Sequence, residues 1–585
     1  MKISPITRAV LFVAAVSSAN AASPAWVGRS DAFAADVLKA IGRYSPEEAG
    51  RFGLSEYDSK ITDLRSGFVK RATAELVRAE DGLRTDLATE KDPLVREDLE
   101  IMIHACGIRI EGLALNERYL ATYVDAGELI FGGEFALLSD EVDPVRRPMA
   151  LARLRKYTGL EAGTEPITRL AESLFEDSAR DPNRIWPYRA EVEQNLSNTA
   201  RYVAGIRKLY AKYAVADAGP ALNALELQLK EYDAWVRRTV LPHARGDFRL
   251  PPELYAHNLK NIGLGISPEE LIRKALLEYA EVQNELQTLA PLVARERGYP
   301  ETDYREVVRH LKKEQLGPSE IEPYYHEVIA KIEETIRRER IATLPDRPMV
   351  MRLASEAESA AEPAPHMQPP RLINNRGERG EFVLPLGNPQ AGANASDAYD
   401  DFTFKAAAWT LTAHEGRPGH ELQFSAMVER GVSQARSIFA FNSVNVEGWA
   451  LYSESEFKPY EPLDGQLIAL QLRLLRAARA ILDPMLNSGQ ISLERAHYVL
   501  TQDVVLSEAF AREELDRFTF RAPGQATSYF YGYSRLMELK AGAEVALGAR
   551  FDRLAFNNFV VGQGLLPPDL LAKAVTEDFI PSQLK

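Results

Sequence analysis

Across residues 68–123, apolar and charged residues recur at three- and four-residue spacing, with no run of strict alternation. That is the period of helices burying one stripe rather than of strands burying one face. Residues 157–241 continue in the same style, with breaks at Asp181-Pro182 and Gly219-Pro220. Local start signals sharpen the reading downstream. Ser267-Pro268-Glu269-Glu270 offers a capping hydroxyl, a proline at the first helical position and acids in the first turn. Gly317-Pro318-Ser319-Glu320 is a similar device, and Ser492-Leu493-Glu494-Arg495 opens another helix. Arg249-Leu250-Pro251-Pro252-Glu253 reads as an entry turn.

The helical period fails over residues 344–398, where Pro, Gly and Asn are frequent. Residues 347–353 and 380–386 are each suited to one short strand, and Glu362-Pro363-Ala364-Pro365 reads as the loop between them. The expected fold is mostly α, with a small antiparallel sheet. The expected division is residues 22–250 as an N-terminal helical region and 251–585 as a second helical region carrying the 344–398 insertion.

Composition adds bounds. A chain of 585 residues with 45% hydrophobic content can build a large core or two to three domains. A net charge of −14 with mixed signs excludes the basic footprint of a nucleic-acid binder and weakly favours neutral or cationic ligands. Lys2 and Arg8 flank the start of the apolar run Ala9 to Val16, and Ala19-Asn20-Ala21 follows as a small-residue cleavage site. Residues 1–21 therefore read as a cleavable signal peptide, which implies a secreted or periplasmic protein. That run is shorter than the roughly 20 residues a bilayer span takes. The single cysteine, Cys106, allows no intramolecular disulfide, reads as a small buried hydrophobe, and leaves no cysteine just after the signal for lipid attachment. No other long apolar stretch offers a stable membrane anchor. The pattern sets no oligomeric state.

The chemistry gathers in His414-Glu415-Gly416-Arg417-Pro418-Gly419-His420 and in Glu447 of Asn445-Val446-Glu447-Gly448-Trp449-Ala450-Leu451-Tyr452. Two imidazoles and a carboxylate are a ligand set for a catalytic zinc, one Zn2+ per chain, with one position left open. Glu415 is placed to act as general base on the water such a metal activates. The spacing is unusual. Histidines four apart on a helix lie about 40° apart around its axis, whereas six apart they diverge by about 120° and could not share a metal. Pro418 cannot continue the backbone hydrogen bonding, and Gly419 tolerates unusual dihedrals. The sequence thus predicts a break between Arg417 and His420 that turns His420 back beside His414, with the helix resuming through Phe424. Only nine histidines occur in the chain, so a close pair around a Glu is not expected from composition.

These segments resemble a known family. HEGRPGHELQ and VEGWALYSE resemble the two signatures of the bacterial domain of unknown function 885, and RAPGQATSYFYGYSRLMELK and FNNFVVGQGLLPPDLL resemble later stretches. ELYAHNLKNIGLGISPEELIRKALLEY resembles its entry segment, so the likeness runs from about Pro251 to the C-terminus. That family is similar to the gluzincin metallopeptidases, in which two His and a downstream Glu hold zinc. The resemblance implies a helical, bilobed, metallopeptidase-like fold with a deep cleft and the sheet beside the active-site helix. It implies metal ligands His414, His420 and Glu447, and it supplies no substrate. Gluzincins line their cleft with an edge strand, and the strands within 344–398 are candidates for that role. The chain departs from the family at Lys540, where Arg is expected, and at Asn557, where His is frequent.

Further roles follow from position. Glu454, seven residues after Glu447 and nearly on its face, is a candidate partner for a ligand imidazole. Asn445 is a plausible helix cap just before Glu447. Trp449 and Tyr452 read as packing. Tyr529 is the candidate oxyanion donor, with Tyr533 four residues on as the second choice. Arg535 and Lys540 are candidates to hold a substrate carboxylate, as a carboxypeptidase or dipeptide hydrolase requires. The other histidines show no metal-ligand spacing, and His243 and His257 are the ones that could reach a cleft. No GxSxG elbow or phosphate loop is present. The reading is an exported zinc metallopeptidase, an oligopeptidase or carboxypeptidase, cutting short peptides. The alternatives are a zinc amidohydrolase acting on a non-peptide small molecule, and a noncatalytic exported protein that binds peptide or metal. Glu415 argues against pure binding, which needs ligands but no base.

Overall fold

The structure, a computed structural model, describes residues 24–386 and 399–585. The expected signal peptide, 1–21, lies outside the described residues, as does the end of the expected insertion, 387–398. The described chain is mostly α-helical, with one three-stranded sheet. Among the described residues, no helix is long and apolar enough to cross a membrane.

The centre of the molecule is the helix Leu463–Asn487, nearly all of it buried, packed along the helix Pro268–Arg297. The latter starts where its sequence says it should. Ser267 Oγ accepts from the backbone N–H of Glu270 at 3.2 Å, and Gly298 closes the other end in the left-handed region at φ 74°. Ser492 likewise caps Leu493–Tyr498. At Gly317 the device differs: Glu320 closes a turn onto Gly317, and the helix Ile321–Glu339 begins only after it. The central helix buries polar groups among its leucines, and each finds a partner. Arg476 donates to Glu454, Arg479 to Glu514, and Gln471 to the carbonyl of Val504. A buried charge without such a partner is strongly unfavourable.

A second apolar core, including Ile130, Phe131, Leu154, Phe175, Tyr202 and Trp235, sits among the helices of residues 126–239. A third joins Val95, Leu99 and Met102 of the helix Pro93–Tyr119 to Phe424, Phe556 and Phe579. That core crosses residue 250, so the entry turn there divides the sequence and not the packing. Cys106 is buried in it, and burial raises its thiol to about 12.

The sheet has the order β1-β3-β2, with β1 Val350–Leu353, β2 His366–Gln368 and β3 Glu381–Leu384. The two expected strands are present, but they run parallel, Val350 opposite Glu381, and only β2 is antiparallel to β3. The expectation of an antiparallel sheet is therefore corrected to a mixed one. The chain between β1 and β3 is long enough for the crossover a parallel pair requires, and it carries the helix Glu356–Ala361. β2 is the strand the sequence hides. Pro363, Pro365, Pro369 and Pro370 flank it, and prolines of that kind are tolerated beside an edge strand.

Candidate metal centre

His414 lies in a π-helical turn, Thr412–Gly416, that widens the end of the helix Ala407–Leu411. Such turns are rare and recur at functional sites. The chain then breaks at Arg417-Pro418, whose peptide bond is cis, and the helix resumes as His420–Arg430. The break restores what the six-residue spacing takes away: the two imidazole rings sit 4.8 Å apart, edge to face. Gly419 is required there, because a Cβ would lie 1.9 Å from the carbonyl oxygen of His414 and 2.4 Å from that of Ala413.

The break frees carbonyls that the second signature satisfies. Trp449 Nε1 donates to the carbonyls of Pro418 and Gly419, at 3.0 and 3.2 Å, and Ser453 Oγ donates to Pro418 at 3.3 Å. Trp449 is thus more than packing. Arg417 fastens the outer side of the turn, donating to Glu333, to the carbonyl of Arg347 and to Glu421. The helix Ser443–Phe457 that carries Trp449 also carries Glu447. Its cap is Asn442, not Asn445: Asn442 Oδ1 accepts from the N–H of Asn445 at 2.8 Å. Asn445 instead donates to the carbonyl of Leu566, so Glu447 stands beyond the first turn. The helix Ser528–Leu547 crosses this one at Gly448 and Gly532.

These elements converge. One ligand atom each from His414, His420 and Glu447 falls within a 4.8 Å set. Glu447 Oε2 lies 3.3 Å from His420 Nε2 and 3.5 Å from His414 Nε2, yet it is buried and accepts no well-formed hydrogen bond. Three donor atoms facing one point, with a buried carboxylate oxygen left over, suit a divalent cation of the zinc type. Burial works to raise the Glu447 carboxyl, but the two imidazoles override it and hold the group well below the ordinary carboxylate range.

Glu454 lies behind His414, its Oε1 2.7 Å from His414 Nδ1. Thr410 Oγ1 and Arg476 also donate to it, at 2.8 and 3.1 Å. Burial opposes ionisation of Glu454, yet Arg476 and His414 lower its pKa overall. An ionised Glu454 fixes the Nδ1–H tautomer and turns His414 Nε2 toward the other two donors. Glu415 borders the same space, with Oε1 3.9 Å from His414 Nε2. Burial raises its carboxyl to about 8, His420 works against that, and Glu447 adds to it.

Tyr529 stacks on His414, with ring centroids 6.2 Å apart and planes at 15°. Arg517 donates to its hydroxyl at 3.1 Å, and the Arg479 guanidinium lies 4.4 Å over its ring. A guanidinium can only donate, so the phenol oxygen accepts from Arg517 and its own proton is free to face the centre. Burial and then the charge of Glu447 push the Tyr529 phenol up to about 12, against the nearby arginines.

The centre opens into one cavity of about 1280 Å³. β2 and the prolines after it form one side of it, and His366 lines it where His243 and His257 do not. Three expected placements fail. Tyr533 does not line the cavity; it packs in the third core, with Arg473 5.2 Å over its ring. Arg535 pairs with Glu538 and Asp569, each at 3.2 Å, away from the cavity. Lys540 donates to Glu456, also outside it. On the helix Ser528–Leu547 only the face of Tyr529 points at the metal centre, and these basic residues already have acidic partners. Sequence reasoning missed Arg476, Arg479 and Arg517. Arg473, Arg476 and Arg479 at three-residue spacing in an otherwise apolar helix were a signal, because buried charges occur with partners. Asn557 stands clear of the centre: it accepts from Tyr452 and donates to the carbonyl of Ile341.

The model of the family described as "Bacterial protein of unknown function (DUF885)" matches residues 46–575. Two solved structures share the fold. One, titled "putative lipoprotein", is from Colwellia psychrerythraea; it is 17% identical with a TM-score of 0.73, covering 94% of this chain and 99% of its own. The other, titled "putative lipoprotein of unknown function", is from Shewanella oneidensis; it is 18% identical with a TM-score of 0.66, covering 95% of this chain and 100% of its own. No curated protein matches.

Proposed function

The chain belongs to the DUF885 family, and from that premise and the geometry of its centre we propose that it is an exported metallopeptidase that hydrolyses short peptides. The observation that carries the reading is the convergence of His414, His420 and Glu447, with the Oε2 of Glu447 buried and unpartnered. When bound, a zinc-type cation supplies Lewis acidity that polarises a carbonyl and acidifies water. His414 and His420 would hold it through ring nitrogens, and Glu447 would hold it through a carboxylate oxygen. Glu454 keeps His414 in the ligating tautomer. Glu415 takes a proton from the attacking water and delivers it to the leaving amine, a role that its place beside His414 supports. Tyr529, its oxygen engaged by Arg517, offers its proton to the oxygen on which charge develops. The edge strand β2 lines the cavity and is open to an extended peptide by strand addition. Export rests on the apolar segment near residue 10 and the small residues after it. Cys106 is buried in the middle of a helix and cannot accept a lipid.

The test is a peptide-library digestion by the zinc-loaded chain beside Glu415→Gln. The reading expects cleavage by the wild type, and loss of nearly all turnover with the metal retained in the variant. A variant as active as wild type overturns the assigned base. No cleavage of any peptide, with metal bound, moves the chemistry to a non-peptide amide.

A further inference from the structure

The two imidazoles of the metal centre are not held alike. His414 has Glu454 behind it, 2.7 Å from Nδ1. His420 turns Nε2 toward Glu447, 3.3 Å from Oε2, so its Nδ1 points away and carries the proton when Nε2 ligates. That Nδ1 is sealed from solvent and has no acceptor among the described residues. Buried donors left in that state are rare, and a ligating histidine commonly gives its other N–H to an oxygen.

An oxygen in the matching condition lies three residues on. Gln423 is buried in the same helix, His420–Arg430, and its Oε1 is sealed from solvent and accepts nothing. Residues three apart share a helix face, with Cβ atoms about 5–6 Å apart. Long helical side chains lean toward the preceding turn, which here is the turn of His420.

The amide atom that Gln423 leaves over is fixed from a distant part of the chain. The carbonyl of Leu566 can only accept, and Asn445 Nδ2 donates to it at 2.8 Å. Asn445 Oδ1 therefore faces Gln423 and accepts from its Nε2 at 2.9 Å. That commits the nitrogen of the Gln423 amide and leaves its oxygen for the other side. Asn445 is held in turn by Asn442. The backbone N–H of Asn445 donates to Asn442 Oδ1 at 2.8 Å, and Asn442 Nδ2 donates to the carbonyl of Leu565 at 3.0 Å.

We propose that Gln423 is the positioning residue of His420, its Oε1 accepting the Nδ1 proton through one buried water. No direct hydrogen bond joins the two atoms, and two polar partners suffice to hold a water. The run from the Leu566 carbonyl through Asn445 and Gln423 does for His420 what Glu454 does for His414, with neutral groups in place of an anion. It also ties the segment around Leu566 to the metal centre. The proposal rests on the metal centre of the hydrolase reading and deepens it.

The test is the zinc affinity of the full chain, read by competition with a chromophoric chelator, beside melting of the zinc-free chain. Gln423→Leu keeps most of the bulk and removes the acceptor, so it should weaken zinc about 10–100-fold. Gln423→Glu keeps an oxygen toward His420 in either protonation state, and should hold zinc several-fold more tightly than Gln423→Leu. A packing role predicts the opposite order, because Glu brings a polar group to a buried place where Leu brings none. Gln423→Met serves in place of Gln423→Leu if the leucine variant melts below wild type. Wild-type affinity in the apolar variant overturns the proposal, as does weaker binding by Gln423→Glu than by that variant. Either result, with zinc bound by the wild type, sinks this role alone. A wild-type chain that binds no zinc sinks the metal centre and this role with it.

Discussion

The crossing of the helices Ser443–Phe457 and Ser528–Leu547 sets the distance between Glu447 and Tyr529, and Gly448→Ala tests it. A Cβ at residue 448 would lie 2.6 Å from the carbonyl carbon of Gly532, 2.7 Å from its Cα and 2.9 Å from its oxygen. At residue 532 it would lie 2.0 Å from the carbonyl oxygen of Val444 and 2.8 Å from the Cα of Gly448. Every one of these neighbours is backbone, so no side chain can rotate away. Restoring ordinary carbon contacts takes a separation of roughly 1 Å between the helices. Overpacking of that kind costs about 1–3 kcal/mol. Glu447 adjoins one glycine, and Tyr529 is one helical turn before the other. A shift of about 1 Å at the reacting groups lowers the rate on the order of 100-fold. The assay is thermal melting with peptide turnover, for each alanine variant and for the double variant. Each single should melt several degrees lower. The double should cost less than the sum, because the first substitution already parts the helices. Wild-type melting and turnover in Gly448→Ala, or strict additivity in the double, would refute the close crossing.

Other outcomes follow from the same structure. Glu454→Gln should keep the fold and weaken zinc about 10–100-fold, read by competition with a chromophoric chelator, because His414 loses the anion that holds its tautomer; unchanged affinity counts against that role. Tyr529→Phe should lower kcat on the order of 100-fold with little change in KM, since its proton acts on developing charge. Burial holds Glu134 at about 8, with its Oε1 unpartnered. The native state then keeps a proton that the unfolded chain loses near pH 4, so stability falls as pH rises from about 4.5 to 8, by up to roughly 5 kcal/mol from this group. Denaturant midpoints at about pH 5.5 and 8 should therefore separate less in Glu134→Gln than in wild type.

The helices were legible because their period and caps are local. Ser267 and Ser492 cap where the sequence places them. The two histidines and the Pro-Gly between them carried the centre, since the break they require leaves few ways to bring the rings together. What escaped depends on distant chain. Asn442 and Asn445 are equal caps by residue type, and the choice falls to Asn442 where Val444 N–H bonds the carbonyl of Ile262. β2 has three residues and prolines on both sides, and only pairing with β3 makes it a strand. Arg517 reaches Tyr529 across a turn whose course no local pattern sets. Arg535 and Lys540 failed because helix spacing gives faces but not which face a neighbour covers.

The central claim is that six-residue spacing still builds one metal site. Elemental mass spectrometry on the purified mature chain, after zinc loading and dialysis, tests it directly beside His420→Ala. The account predicts about one zinc per wild-type chain, as a three-ligand catalytic site holds, and none in the variant. A wild-type chain that keeps no metal, or a His420→Ala chain that keeps it all, would contradict the account.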